Sequence, residues 1–447
     1  MVYYIKEEVL NFLEKKEFSK LKEALSDWYP QDIAEFITEI EDTSSILVFK
    51  TLPKQKQADT FSHLIHEEQE KLLKAFTNKE ASFILSEMSP DDRTALFEEL
   101  PGKITRRLFK LLSIEDLKET RLLLGYPEET VGRMMTPDYV SIYEDMTVKE
   151  ALQRIRERGR DSETLNRIYI INSEKKLIDA MKLRKIILAD MEQKIKDLMT
   201  YNVISLSAYD DREEAVKLMQ KYDVSSLPVI DSEGVIIGIV TIDDVLDVAE
   251  EEATEDIQKI GSVEPLKTSY KNVSIYELYK KRIVWLCLLV LVSLISSGII
   301  ERYEDILSSA IVLAFFIPLL IDSGGNMGSQ SATLMVRALA TGDVKLNEWF
   351  KVFTKEIGIG LFIGITLGLL ASLIGIFRGG YEIGLVIGLS MLAVIFVANL
   401  IGATLPFILS TLKIDPAVAS SPLITTVVDI AGLIIYFSIA VLVLGSI

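Results

Sequence analysis

The chain has 447 residues, a net charge of −17 and a single cysteine, Cys287. Its length allows more than one domain, its acidity argues against nucleic acid as a partner, and one cysteine excludes disulfides within the chain. Residues 1 to about 282 are mixed and acidic, whereas the chain from Ile283 onward is mostly apolar. We therefore predict a soluble part that suits a cationic partner, followed by a membrane part.

The N-terminus has a charged amphipathic pattern, MVYYIKEEVLNFLEKKEF, without the apolar core of a signal peptide. We expect the soluble part to stay in the cytosol. Up to about residue 130, several prolines each precede an amphipathic pattern, as at the first turn of a helix. This recurrence predicts an all-α superhelical domain over residues 1–130. His63 and His66 lie in an acidic helix there and are predicted to be ordinary surface residues.

Residues 131–250 contain a duplication, in which MTPDYVSIYEDMTVKEAL aligns with MTYNVISLSAYDDREEAV 64 residues later. Each copy predicts a helix, a short strand, a helix, two strands and a helix. This α/β pattern resembles the CBS domain pair, a module that often binds adenosine nucleotides. Thr241 and Asp244 of the second copy match CBS positions that hold phosphate and ribose, whereas the first copy has Lys182 and Lys185. The resemblance implies ATP at the second copy, and a pair without ligand is the alternative.

Residues 251–280 are predicted to form a connecting helix, entered through the acidic run DDVLDVAEEEATEDIQKI. Like charges four residues apart each cost a few tenths of a kcal/mol on a solvated helix. A divalent cation that bridges this helix to another acidic face would relieve that repulsion, whereas a merely solvated face is the alternative. The predicted regulatory metal ligands are Asp244, Asp247, Glu251, Glu252, Glu255 and Asp256, with Asp91, Asp92 and Asp415 on opposing faces.

Residues 281–447 are predicted to form a five-helix membrane domain, with spans near 283–300, 306–336, 353–377, 383–411 and 417–445. Lysine and arginine cluster before the first span and between the second and third, and Lys413 lies between the fourth and fifth. The basic side is cytosolic by the positive-inside rule, so we expect a cytoplasmic N-terminus and an external C-terminus. Pro318 and the Gly324-Gly325 pair predict a second span that is irregular midway, or a re-entrant element.

Oxygen-bearing side chains occur at membrane depth in FFIPLLIDSGGNMGSQSATLMVRALATGD and in SSPLITTVVDIAGLIIYF. Polar groups are tolerated there only inside protein or beside a wet cavity, although close helix packing accounts for some of the glycines. Carboxylate, amide and hydroxyl oxygens suit hydrated Mg²⁺, whereas sulfur and imidazole do not. The predicted pore ligands are Asp429, Thr425, Thr426, Asn326, Ser329, Thr333 and Asp322.

GGNMGSQSATLMVRALATGD together with PLITTVVD resembles the membrane domain of MgtE-type magnesium transporters, and the domain order agrees over essentially the whole chain. The resemblance implies a homodimer in the lipid bilayer with one Mg²⁺ pathway on its two-fold axis and ion binding at Asp429. It also implies that the acidic connecting helix, called the plug, closes the pore when cytosolic Mg²⁺ bridges the soluble domains, with ATP sharpening this response in some members. Ser329 stands where asparagine is expected and Asp322 where glycine is expected, which leaves selectivity open.

Two other transport functions remain open at this point. An oxygen-only pore also suits Mn²⁺, so a broader divalent cation transporter, for Mn²⁺ or Co²⁺, is the first alternative. A CBS-regulated anion channel fits less well, because anion pores require Arg, Lys or helix N-termini near the ion. An enzyme is not expected, since the membrane part has no histidine and the sequence shows no nucleophile–base set.

Overall fold

The structure is a computed structural model that describes residues 2–40, 42–266, 270 and 273–445. The chain forms two compact units, Met1–Glu250 and Glu251–Ile447. The first contains a helical domain followed by two small α/β copies, and the second consists of long apolar helices. The predicted fold class is therefore confirmed.

The N-terminal helices form around a core of buried aromatic and aliphatic side chains, including Phe36, Phe49 and Phe61. Pro30 and Pro90 occupy the first turns of α3 and α8, where a missing N–H costs no hydrogen bond. The helices are α1 (Val2–Glu14), α2 (Phe18–Ser26), α3 (Pro30–Glu39), α4 (Asp42–Thr51), α5 (Lys54–Ser62), α6 (His66–Ala75), α7 (Asn78–Glu87), α8 (Pro90–Glu99), α9 (Gly102–Leu108) and α10 (Ile114–Leu123).

The duplicated region folds as two copies of one three-stranded unit. In each copy the first strand pairs in parallel with the second, and the second pairs antiparallel with the third. The copies touch through reciprocal backbone hydrogen bonds between Thr136 and Ile239, both of 2.9 Å. The elements are α11 (Val131–Met134), β1 (Ser141–Tyr143), α12 (Val148–Arg158), β2 (Arg167–Ile171), β3 (Leu177–Lys182), α13 (Leu183–Ile187), a 3₁₀ turn (Ile195–Leu198), β4 (Leu206–Ser207), α14 (Arg212–Tyr222), β5 (Ser226–Ile230), β6 (Ile236–Thr241) and α15 (Ile242–Ile260).

The C-terminal unit contains the membrane-length helices. Among the described residues, four helical runs are long and apolar enough to cross a bilayer. Its helices are α16 (Ile275–Arg302), α17 (Glu304–Ser309), α18 (Ile317–Ala340), α19 (Trp349–Thr411) and α20 (Ser421–Leu444), with 3₁₀ segments at Ile311–Phe316, Leu346–Glu348 and Pro416–Val418.

The 63-residue α19 supplies two of the five predicted spans. A straight helix of that length would extend for about 95 Å, roughly three times the hydrocarbon thickness of a bilayer. Gly380 interrupts it with φ 85° and ψ −178°, a conformation open mainly to glycine. The chain reverses there, so α19 is a hairpin of two antiparallel halves.

Glycines bring the two halves of α19 into backbone contact. A Cβ on Gly364 would lie 3.0 Å from the carbonyl oxygen of Leu392, and one on Gly368 would lie 2.8 Å from that of Gly388. Any larger side chain would therefore push the halves apart. Small residues allow this close approach where lipid supplies no hydrophobic driving force.

The second span differs from the predicted one. α18 continues without interruption through Gly324 and Gly325, and Pro318 lies in its first turn. The irregular backbone precedes the helix, at Ala310 (φ −140°, ψ 75°) and in the 3₁₀ segment Ile311–Phe316. The expected midway break is wrong because both glycines are buried against neighbouring helices, which offsets their low helix propensity.

Candidate ion pathway and regulatory sites

Glycines of α18 set its distance from α20. A Cβ on Gly325 would lie 3.0 Å from Cγ2 of Thr425, and one on Gly328 would lie 2.8 Å from Cγ2 of Ile424. The same stretch that looked like a helix break is therefore a packing surface. The two helices are antiparallel, since each turn forward along α18 meets one turn back along α20.

This packing aligns polar side chains from both helices. Ser421 Oγ donates a hydrogen bond of 2.9 Å to Ser329 Oγ. About two turns away, the carboxylates of Asp322 and Asp429 are near enough to repel each other electrostatically. These groups extend over roughly 10 Å of helix length. We call the set the polar column; it comprises Asp322, Asn326 and Ser329 of α18 and Ser421, Thr425 and Asp429 of α20.

Much of the polar column faces away from its own chain. Asp322 and Asn326 are exposed, as is Thr333 further along α18, while Asp429 is only partly buried. Burying an ionised side chain at the centre of a bilayer costs about 2.5–3.5 kcal/mol on insertion scales. A face with these groups therefore requires another protein surface or water rather than lipid.

The two predicted threonine ligands have different surroundings. Both hydroxyls donate to the carbonyl oxygen of Pro422, Thr425 at 3.0 Å and Thr426 at 2.8 Å. Thr425 stays partly accessible beside Gly325, and its lone pairs can still accept a hydrogen bond. Thr426 is only 8% exposed, so it does not lie on the open face with Asp322 and Asn326.

Behind the polar column lies a buried network that the sequence did not reveal. Ser331 Oγ donates to Asn399 Oδ1 at 2.5 Å, and Asn399 Nδ2 donates to the carbonyl oxygen of Glu356 at 2.8 Å. All three residues are buried. The network links α18 to both halves of α19. A lone asparagine in the apolar run FVANLIGA was the available signal, but its partners are distant in sequence.

The end of α15 contacts the start of α20. Lys259 forms salt bridges with Glu255 and Asp415, and its Nζ lies 2.5 Å from Oδ2 of Asp415. Ser262 Oγ donates to Oγ of Ser420, the residue that precedes α20, at 2.7 Å. Burial opposes the charge of Lys259, but its hydrogen bonds to Asp415 and Glu255 outweigh burial and raise its pKa. The sequence predicted that a metal ion would bridge carboxylates such as Glu255 and Asp415. In the structure, the ammonium group of Lys259 bridges these two instead.

A second acidic group lies inside the N-terminal unit. Burial raises the pKa of Asp91 to about 7, and the Asp92 carboxylate adds to the shift. Burial likewise raises the pKa of Asp244 to about 8, with a further contribution from Asp91. Oδ1 of Asp91 is buried without a hydrogen-bond partner among the described residues. An orphaned carboxylate oxygen beside other carboxylates is a suitable ligand for a hard divalent cation.

The remaining predicted regulatory residues follow along α15. Asp247 and Glu251 are exposed, whereas Glu252 and Asp256 are partly buried. The described residues contain no group of three or more His, Cys, Asp or Glu side chains already converging on one point.

The predicted nucleotide residues in the second copy contact each other. Thr241 Oγ1 donates to Asp244 Oδ2 at 2.7 Å, and Thr241 is 5% exposed. An open cavity of about 730 Å³ lies between the two copies, with Arg167, Lys182 and Arg184 of the first copy and Asp223 and Ser225 of the second in its walls. Lys185, which matched the ribose position, donates to the carbonyl oxygen of Leu198. Most of the cavity wall, and all of its basic residues, therefore come from the copy that the sequence disfavoured.

Comparison with known proteins adds three family matches. Residues 317–439 match the MgtE divalent cation transporter domain, residues 28–129 match the MgtE intracellular N domain, and residues 131–191 and 195–251 match CBS domains. The chain is 40% identical to the magnesium transporter MgtE of Thermus thermophilus over 441 residues, which cover 97% of both chains. It is 33% identical to the Bacillus subtilis protein of the same name, with 93% of this chain and 95% of that one covered.

Among solved structures, the soluble part of the chain has clear counterparts. The cytosolic domain of the Mg²⁺ channel MgtE in complex with ATP is 35% identical, with a TM-score of 0.52 over 54% of this chain and 99% of that one. The soluble part of a magnesium transporter is 26% identical, with a TM-score of 0.53 over 57% of this chain and all of that one.

Proposed function

Because the chain belongs to the MgtE family of magnesium transporters, we propose that its Mg²⁺ transport uses a pore that two copies build around the polar column. The observation that carries this proposal is the column itself, which presents exposed carboxylate and amide groups on membrane-length helices. A two-fold axis beside α18 and α20 would cover these groups with their own symmetry mates. One copy alone would expose them to lipid.

The ligand chemistry of the column suits a hydrated divalent ion. Mg²⁺ prefers six oxygen ligands and loses its water reluctantly, so the pore need only contact the water shell. Two Asp429 carboxylates, one from each copy, match the charge of one Mg²⁺ without a coupled proton. Entry into a cell at a potential of 100 mV favours a divalent ion by about 4.6 kcal/mol, so passive inward flow suffices.

We further propose that the end of α15 serves as the gate. Ile260 packs with Val336, Ala417 and Ala419, and the Ser262–Ser420 hydrogen bond joins it to the N-terminus of α20. Cytosolic Mg²⁺ would bind Asp91, Asp244 and neighbouring carboxylates and hold α15 in this docked position. Such inhibition requires that Mg²⁺ bind the closed state more tightly than the open one.

The cavity between the two CBS copies, with its basic residues on the first copy, is the place we propose for ATP. The related cytosolic domain has been solved in complex with ATP. Arg167, Lys182 and Arg184 offer cationic groups to a polyphosphate, whereas Thr241 and Asp244 are engaged with each other. Basic residues between the spans support a cytoplasmic N-terminus and an external C-terminus.

Flux into proteoliposomes tests the pore. Full-length protein should take up Mg²⁺, and Asp429→Asn should abolish uptake while elution in size-exclusion chromatography stays dimeric. Asp343→Asn, which removes an exposed aspartate after α18, is the matched control and should retain uptake. Parallel measurements with Mn²⁺, Co²⁺, Ca²⁺ and Cl⁻ separate the alternatives. Normal Mg²⁺ flux through Asp429→Asn would remove the polar column from the mechanism.

A further inference from the structure

In each chain, Asp322 and Asp429 lie at the same height along the polar column, which we call one level of the column. One aspartate from each of two chains would already balance the charge of one Mg²⁺. We propose that Asp322 enables this level of the dimeric pore to hold two divalent cations at once. The inference rests on the proposed pore and concerns how many ions occupy it. It assigns Asp322 a role in ion occupancy and selectivity that is separate from that of Asp429.

The packing of α18 on α20 places the two aspartates level. Gly325 lies against Thr425, and Ser329 is hydrogen-bonded to Ser421, so four residues along α18 correspond to four residues back along α20. Continued by one turn, this register puts Asp322 beside residues 428 and 429. The electrostatic interaction between Asp322 and Asp429 agrees with that placement.

Asp322 is not tied into the fold by polar contacts in the part of the chain that the structure describes. It is exposed, and it forms no hydrogen bond or salt bridge with a described residue. A Cβ added to Gly324, two residues away, would lie 3.0 Å from Cγ1 of Val428. The contact between α18 and α20 therefore does not depend on Asp322. A structural aspartate would be expected to cap a helix or to pair with a cation.

Charge balance leads from this geometry to two ions. Two carboxylates per chain make four per dimer, and one Mg²⁺ neutralises half of their charge. Uncompensated charge at membrane depth is costly, so the remaining pair favours a second divalent ion. Because hydrated Mg²⁺ is held through its water, neighbouring ions need not share ligands. Repulsion between two bound ions also hastens release, which multi-site conduction requires.

Mixtures of Mg²⁺ and Mn²⁺ test this proposal in proteoliposomes that contain the full-length protein. At constant total divalent concentration, a level with two interacting ions should give a minimum in total flux at an intermediate Mn²⁺ fraction. Asp322→Asn should show a lower total flux of both ions and should lose the minimum. Asp322→Gly provides a second variant with the same expected loss, and Asp343→Asn should keep the minimum.

Each outcome decides the proposal. Flux that changes steadily with Mn²⁺ fraction in the unmodified protein would overturn two-ion occupancy, as would a minimum that persists in Asp322→Asn and Asp322→Gly. If both variants assemble as dimers but conduct no ion, Asp322 is needed for conduction itself and the proposal is wrong. Failure of the pore is recognised separately, because Asp429→Asn would then remain active.

Discussion

Replacement of Lys259 by methionine is the sharpest test of the proposed gate. The lysine contacts both Glu255 and Asp415, and its side chain is 25% exposed. Of the two ion pairs, only the one with Asp415 joins α15 to another element, because Glu255 belongs to α15 itself. A partly exposed ion pair contributes up to about 1 kcal/mol, so its loss weakens docking of α15 by up to about 1 kcal/mol. That corresponds to a factor of up to roughly 5 in the ratio of docked to undocked protein.

The assay is Mg²⁺ uptake as a function of internal Mg²⁺. If closure takes up two ions, the concentration for half-inhibition should rise by the square root of that factor, roughly twofold. Full closure should still occur at saturating Mg²⁺, since the freed carboxylates of Glu255 and Asp415 can then bind the ion. Lys259→Arg and Lys351→Met, the latter at an exposed lysine of α19, should behave normally. An unchanged half-inhibition concentration in Lys259→Met would refute the reasoning.

Two further predictions concern packing and pH. Gly402→Ala would place a Cβ 2.1 Å from the carbonyl oxygen of Gly328, so it should lower the melting temperature of the detergent-solubilised protein by several degrees or prevent assembly. Gly358→Ala is the control, because its Cβ enters open space and should leave the melting temperature unchanged. Equal melting temperatures for the two variants would contradict the close contact between α18 and α19. The raised pKa values of Asp91 and Asp244 mean that the folded protein retains protons which the unfolded chain releases near pH 4, so stability without divalent ions should fall as pH rises towards 8. Mg²⁺ should accordingly raise the melting temperature more at pH 8 than at pH 6. An equal rise at both pH values would count against this site. A larger rise at pH 8 that persists in Asp91→Asn would also count against it.

The sequence predicted most of the architecture because hydropathy and turn residues act locally. Proline at the first turns of α3 and α8 and the duplicated strand pattern both have local causes. The family resemblance then assigned magnesium transport. The break expected at Gly324 was wrong because helix propensity is weak compared with burial against Val394 and Val428, which only the folded chain supplies.

The contacts that the sequence could not supply join residues far apart along the chain. Lys259 was visible as the end of an acidic run, yet its partner Asp415 is 156 residues away. Asn399 and Ser331 are 68 residues apart. Thr241 and Asp244 remain predicted nucleotide residues: they fit the CBS pattern, but the pattern does not show that Thr241 donates a hydrogen bond to Asp244.

The glycine-lined hairpin of α19 has a mechanical consequence. Its halves meet backbone to backbone, so there are few flexible side chains between them to absorb a displacement. α16 is the opposite case, since none of its residues is buried within the chain. Elastic compliance is therefore uneven across the membrane unit: a stiff pair of spans supports the pore helices, while α16, the next helix after α15, can shift at little cost in packing.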